Sequence, residues 1–180
     1  MLVSSNRLTK PQLTKLHLVI VIVWLSFTVA AFVYLVSEKL VSFDLESKLA
    51  GIGHLQLATA LKPYVESVLP GKGNTVLHFS TPDCDCQQYS AAHIEDINKI
   101  ATANDFSIIE VVINEHNFIP ATPSVAIIDL LGEVIYFGPY GQGLACSKTS
   151  GYAQTMLNNF VKGYKANIII KEAKGCYCRV

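Results

Sequence analysis

The sequence lacks an excess of charge of either sign, because 14 Lys and Arg residues balance 14 Asp and Glu residues over 180 positions. A nucleic-acid partner would require a basic face, so this balance argues against nucleic-acid binding. The chain also lacks internal repeats and low-complexity tracts. Since a domain takes roughly 100 to 200 residues, the length predicts about one folded domain plus appendages.

Two kinds of enzymatic site also receive little support. The Gly-rich stretch GPYGQG, residues 138–143, lacks the Lys-Ser/Thr pair and the strand-loop-helix setting of a phosphate-binding loop. It indicates a bend where the chain leaves a sheet. The carboxylates near the helix and strands, Glu95, Asp96, Glu110 and Glu115, are more typical of a solvated face than of acid–base catalysis.

Charge is absent altogether from residues 18–36, LVIVIVWLSFTVAAFVYLV. As a helix this run is roughly 28 Å long, enough to cross the hydrocarbon core of a bilayer. The alternatives are a buried helix of a soluble protein and a signal peptide cleaved near residues 29–31. The run is longer than the roughly 7 to 15 residues of a signal-peptide core, which favours an uncleaved transmembrane helix.

The charges that flank this run predict its orientation. Arg7, Lys10 and Lys15 precede it without any acidic residue, whereas acidic and basic residues are mixed after it. By the positive-inside bias, residues 1–17 are cytoplasmic and the rest of the chain is exported. In a bacterium this predicts a single-pass inner-membrane protein that contacts the lipid bilayer through residues 18–36 and has a periplasmic domain. That compartment permits disulfides.

Residues 37–72 have apolar positions at near-helical spacing, interrupted by Gly51 and Gly53. This pattern predicts two helices, the first continuing from the membrane and the second docking on the exported domain. The turn-forming stretch PGKGN, residues 70–74, then predicts that the compact domain occupies residues 73–180.

Strand and helix patterns alternate in this domain. Short runs rich in β-branched residues predict strands, and apolar residues at spacings of three and four predict helices. The expected order is a strand at 75–80, a helix at 86–104, a strand at 106–114, a hairpin of strands at 124–130 and 133–138, and a helix after residue 150.

Two cysteines, Cys84 and Cys86, lie at the junction of the first strand and helix in VLHFSTPDCDC. With ATPSVAIIDLLGEVIYFG and the last helix, this arrangement resembles the thioredoxin fold. The resemblance implies an α/β domain with a central mixed sheet of about four strands flanked by helices, preceded here by one transmembrane helix. The overall plan is similar to tethered thiol:disulfide proteins of the bacterial periplasm, among which are families without an assigned function.

The resemblance also implies roles for particular residues. Pro123 takes the place of the family's cis proline, which sits against the cysteines, and Thr122 and Pro123 hold an extended substrate. A thiol at a helix N-terminus favours its thiolate, so Cys84 is the expected nucleophile and Cys86 the resolving thiol. The chain departs from the family in lacking the usual Cys-x-x-Cys spacing. Whether Cys84 and Cys86 bond to each other stays open.

A second Cys-x-Cys pair, Cys176 and Cys178, ends the sequence in KGCYCRV. These thiols are expected either to relay electrons to the first pair or to form a structural disulfide that includes Cys146. Exported cysteines tend to pair, but five cysteines leave at least one without a partner in the monomer.

Two other functions stay open. Four thiolates, from Cys84, Cys86, Cys176 and Cys178, suit Cu(I) or a tetrahedral zinc site. For this site the sequence does not clearly supply a histidine, because His78 is expected in the core of a strand and His116 in a loop. The other alternative is a non-catalytic envelope binding module, which requires that Cys84 and Cys86 be buried in the fold or locked to the tail without access to solvent.

The favoured prediction is a thiol–disulfide oxidoreductase that needs no cofactor and acts on protein thiols or disulfides of the cell envelope. The sequence names neither the substrate nor the direction of electron flow.

Overall fold

The computed structural model describes residues 15–37, 40–66, 73–143 and 151–180. The chain divides into two compact units, Met1–Glu38 and Lys39–Val180. The second unit therefore begins well before residue 73, and the docking helix belongs to it.

The described part of the first unit is a single helix, α1 (Lys15–Ser37). Its mean hydropathy reaches 2.6 over its most apolar 18-residue window, and none of its side chains is buried within the protein. A helix that is apolar all round needs an apolar environment to cover it. The helix predicted at residues 18–36 is confirmed, and it is long and apolar enough to be a membrane span or a signal sequence.

The second unit is an α/β domain. Its elements in chain order are β1 (Val41–Ser42), α2 (His54–Glu66), β2 (Thr75–Ser80), α3 (Gln87–Ala103), β3 (Ser107–Val112), β4 (Ala121–Thr122), β5 (Ser124–Ile128), β6 (Val134–Pro139), α4 (Tyr152–Val161), β7 (Ile168–Ile169), β8 (Lys174–Gly175) and β9 (Cys178–Arg179).

Five of these strands form one mixed sheet in the order β3-β2-β5-β6-β7. Strand β2 runs parallel to β3 and antiparallel to β5, β5 is antiparallel to β6, and β6 is parallel to β7. The strands β5 and β6 are buried at every position, which explains why they read as continuous apolar runs rather than alternating ones. The predicted mixed sheet is confirmed, with β7 as an additional edge strand.

Helices cover both faces of this sheet, and the alternation along β2 shows how. Leu77 and Phe79 pack in one cluster with Leu57 and Leu61 of α2, whereas Val76 belongs to a second cluster that includes residues of α3 and α4. Because successive side chains of a strand point to opposite faces, one strand contributes to both cores. Helix α2 therefore packs on the face of the sheet that Leu77 and Phe79 share.

The prediction of the first of two helices between residues 37 and 72 is wrong. Residues 43–51 form turns, because longer-range contacts outweigh the helical spacing. Strand β1 pairs with β8, and the Phe43 amide donates to the Ala173 carbonyl at 2.8 Å. The Asp44 carboxylate accepts hydrogen bonds from the Lys48 and Leu49 amides, which replaces helical bonds locally.

Candidate redox site

The first cysteine pair lies where β2 gives way to α3. Cys86 is the N-cap residue of α3. Cys84 precedes it in a turn, and the Cys84 carbonyl accepts a hydrogen bond from the Gln87 amide at 3.0 Å. Asp83 adopts a left-handed backbone with φ of 59°, which lets the chain reverse into the helix. Both sulfurs are thus placed at the positive end of a helix of 17 residues, where a thiolate is favoured.

The proline loop lies against this turn. The peptide bond between Thr122 and Pro123 is cis, as the resemblance implied. The Cys84 sulfur is 3.8 Å from the Thr122 carbonyl oxygen, and the hydroxyls of Thr81 and Thr122 are hydrogen-bonded at 2.6 Å. Thr122, Pro123 and Cys84, which are about 40 residues apart in the sequence, therefore meet at one site.

Both cysteines of this turn are disulfide-bonded to the tail segment, which we define as residues 173–180. The bonds are Cys84–Cys178 and Cys86–Cys176, with Cα separations of 5.9 and 5.4 Å, within the range usual for disulfides. Cys84 and Cys86 do not bond to each other. Both tail cysteines thus have partners other than Cys146, the residue considered for a structural disulfide, which lies outside the described residues.

Backbone pairing explains why the tail reaches these cysteines. Strand β9 pairs antiparallel with β4, so that Cys178 is opposite Thr122 and Arg179 is opposite Ala121. The Val180 amide extends the pairing with a bond of 3.4 Å to the Pro120 carbonyl. The end of the tail, from Cys178 to Val180, is laid as a strand along the residues that precede the cis proline, and this pairing brings Cys178 next to Cys84.

Tyr177, between the two tail cysteines, fixes the tail from the other side. Its ring packs edge-on against Phe43 with centroids 5.4 Å apart, and its hydroxyl donates to the Gly141 carbonyl at 2.6 Å. Only 8% of the residue is exposed. A Cβ added to Gly175 would lie 2.6 Å from this ring, so a larger residue would fit only if the ring shifted.

Further non-covalent contacts hold both ends of the tail. The Gly143 amide donates to the Lys174 carbonyl at 2.8 Å, and the Lys48 ammonium donates to the carbonyl oxygens of Val180 and His116. The tail is therefore anchored by side-chain packing and backbone pairing as well as by sulfur. Reduction of the disulfides removes only some of these contacts.

The four bonded cysteines differ in exposure. Cys86 is buried, at 8% exposure, whereas Cys84, Cys176 and Cys178 are partly exposed. An external thiolate attacks a disulfide only where a sulfur is accessible. The condition for a purely structural role was that Cys84 and Cys86 be buried or locked to the tail without access to solvent. Both are locked to the tail, and the condition is met by Cys86 and only in part by Cys84, which is half-buried.

The two histidines considered as metal ligands have other partners. His78 is buried in β2, as expected, with its ring nitrogens bonded to Asn98 at 2.8 Å and to the Tyr140 hydroxyl. Desolvation lowers the pKa of His78, partly opposed by the bond to Asn98. His116 pairs with the Tyr64 hydroxyl at 2.7 Å, and partial desolvation, with Lys48 nearby, lowers its pKa.

Comparison with known protein families gives a match. Residues 54–180 match a family described as a domain of unknown function, DUF6436. The chain belongs to this family. The part of the chain that matches DUF6436 includes both Cys-x-Cys pairs and the cis proline, but it begins after Phe43, which packs on Tyr177. No curated protein and no solved structure matches the chain.

Sequence reasoning found the members of the site but not their pairing. The equal spacing of the two Cys-x-Cys pairs carried the missing signal. Two Cys-x-Cys pairs can be joined in two ways, first with first or first with last. Because the spacing is equal, both bonds can form together, and the structure has the first-with-last arrangement, Cys84 with Cys178 and Cys86 with Cys176.

Proposed function

We propose that this DUF6436 chain is a membrane-anchored thiol–disulfide exchange protein with a thioredoxin-like domain, acting in the bacterial periplasm. One observation carries the proposal. Cys84, at a helix N-terminus and 3.8 Å from the carbonyl that precedes a cis proline, is disulfide-bonded to an extended strand paired with that same loop. This is the arrangement expected for a nucleophilic cysteine joined to a bound peptide.

The fold and the first helix support the other parts of the proposal. The order β2-α3-β3-β5-β6-α4 and the mixed sheet agree with what the thioredoxin resemblance implied. The apolar helix α1, preceded by basic residues alone, suits an anchor with a cytoplasmic N-terminal segment. An exported domain is also the setting in which two disulfides persist.

The proposed reaction is a series of thiol–disulfide exchanges. An external dithiol is oxidised to its disulfide as it reduces Cys84–Cys178, leaving a thiol on each cysteine. The Cys84 thiolate then attacks a substrate disulfide, forming a mixed disulfide and releasing one substrate thiolate. Cys86, once freed from Cys176 by a second dithiol, attacks the Cys84 sulfur, which releases the other substrate thiolate and leaves Cys84 and Cys86 bonded to each other. Thr122 and Pro123 hold the substrate strand during this exchange.

A trapping experiment in cells tests the nucleophile. In a full-length chain that keeps Cys84 as its sole cysteine (C86S, C146S, C176S and C178S), no internal thiol resolves a mixed disulfide. We expect covalent adducts of envelope proteins on non-reducing gels, which disappear on reduction. The matched control keeps Cys86 alone and should give about tenfold fewer adducts, because a buried thiol reacts slowly.

Equal adduct formation by the two chains would contradict the assignment of Cys84 as nucleophile. Absence of adducts from the chain that keeps Cys84, at normal expression, would contradict thiol–disulfide exchange itself.

Metal binding is the second candidate, favoured by the distances between sulfurs. The Cys84, Cys86 and Cys178 sulfurs all lie within 4.8 Å of one another. A tetrahedral site with metal–sulfur bonds of about 2.3 Å holds its thiolate sulfurs at similar distances from one another. The cysteines can offer such thiolates once the disulfides are reduced. Anaerobic titration of the reduced full chain with Cu(I) separates the candidates. Exchange predicts no tight stoichiometric binding, whereas one tightly bound ion, lost in the C84S/C86S chain, would favour the metal function.

A further inference from the structure

We propose that Phe43 and Gly141 form a pocket for the aromatic side chain of an extended, cysteine-containing peptide, and that Tyr177 occupies this pocket as a built-in ligand. The inference rests on the proposed function, because it names the class of peptide that Cys84 receives. It also means that the tail competes with external peptides for the site.

Backbone pairing at β4 supplies affinity without selectivity. Strand β4 is only two residues long, and its pairing with Cys178 and Arg179 uses main-chain groups that any peptide has. In strand addition of this kind, pockets for alternate side chains select the sequence. Selection at this edge must therefore come from the side chains that neighbour the bonded cysteine.

Tyr177 shows what the neighbouring pocket accepts. Its ring meets the edge of Phe43, and its hydroxyl donates to the Gly141 carbonyl at 2.6 Å. An aromatic ring with a hydroxyl at its far end satisfies both contacts. Because side chains alternate along an extended strand, a peptide whose cysteine faces Cys84 directs the preceding residue into this pocket.

Gly175 adds a second requirement. A Cβ at this position would lie 2.6 Å from the Tyr177 Cζ and hydroxyl atoms, closer than non-bonded atoms approach. The residue two positions before the aromatic side chain must therefore be glycine, or the ring must shift. The recognised pattern is Gly-x-Tyr-Cys, which the tail itself carries from Gly175 to Cys178.

Peptide binding to the full-length chain in detergent micelles tests this pocket. The probe is a labelled peptide with the sequence of residues 173–180 and serine for both cysteines, AKGSYSRV. The chain carries C176S, C178S and Y177A, so that its own tail is neither bonded nor seated. We expect this peptide to bind about tenfold or more tightly than AKGSASRV, the ratio typical of losing one buried aromatic anchor. Fluorescence anisotropy gives both affinities.

Two further comparisons sharpen the test. AKASYSRV, with alanine at the glycine position, should also bind several-fold more weakly, and this change leaves the protein untouched. The C176S/C178S chain that retains Tyr177 should bind AKGSYSRV more weakly than the Y177A chain does, because its own tail competes. Protection of the β2 amides from hydrogen exchange verifies that the chains are folded.

The outcomes separate this inference from the proposed function. Equal binding of AKGSYSRV and AKGSASRV, or binding of neither, would overturn the pocket even if Cys84 traps partners in cells. Clear discrimination between the peptides without trapped partners would keep the pocket and overturn thiol–disulfide exchange.

Discussion

Removal of both disulfides should lower the free energy of unfolding of the second unit by about 6 to 7 kcal/mol, whereas removal of either alone should cost about 2 kcal/mol. The reason is that Cys84–Cys178 and Cys86–Cys176, with sequence separations of 94 and 90, close almost the same loop. Either bond alone restricts the unfolded chain by about 4 to 5 kcal/mol. The second bond then closes only a small ring between the two Cys-x-Cys pairs.

The measurement is native-state hydrogen exchange of the β2 amides, residues 75–80, which lie between β3 and β5 in the sheet and report on opening of the second unit. The variants are C84S/C178S, C86S/C176S and all four substitutions together, each in the full-length chain. A loss of about 6 to 7 kcal/mol lies within the roughly 5 to 15 kcal/mol stability of a typical domain, so the fourfold variant should stay folded while its β2 amides exchange roughly 10⁴ to 10⁵ times faster than in the oxidised parent chain.

The critical quantity is the difference between the destabilisation of the fourfold variant and the sum for the two paired variants. If the two disulfides closed independent loops, the two paired variants would sum to the fourfold effect. A sum that equals the fourfold value would contradict the shared-loop arrangement. Samples kept under reducing conditions provide the control, because all the variants should then differ little from the reduced parent chain.

The second large effect is expected from Phe43→Ala, which should destabilise the second unit by about 3 to 5 kcal/mol. Phe43 is 1% exposed and packs within the core cluster that contains Leu57, Phe79 and Tyr177. Its removal leaves a cavity and also deprives the Tyr177 ring of its edge-on partner. The tail should loosen along with the core.

Leu45→Ala is the matched control, because Leu45 lies two residues away in the same turn segment and is 52% exposed. It should change the stability by less than about 0.5 kcal/mol. Hydrogen exchange of β2 measures both variants. In the reduced protein, alkylation of Cys178 should be faster in the Phe43→Ala chain than in the Leu45→Ala chain. Equal stabilities would show that the segment before residue 54 is not part of the folded unit.

The sequence predicted those elements whose signal is contained within the element. Strand β2 and helix α3 lie within about a residue of their expected limits, because their apolar spacing reflects burial against the sheet. Strands β7, β8 and β9 were missed, since a two-residue strand exists only through its partner. The prediction of a helix near Phe43 was wrong for the same reason, because strand pairing with β8 outweighs the helical periodicity of that segment.

The sequence by itself determined the apolar N-terminal helix, the α/β order and the place of Cys84 and Cys86 at a strand-helix junction, because each of these follows from local patterning. That Thr122 and Pro123 lie against these cysteines was implied by the resemblance to the thioredoxin fold. Only the tertiary structure decided which cysteines pair. Sequence spacing does not specify which sheet edge an extended segment joins, and here β9 joins β4. That single choice places Cys178 against Cys84 and seats Tyr177 against Phe43, because alternate side chains of a strand face opposite sides.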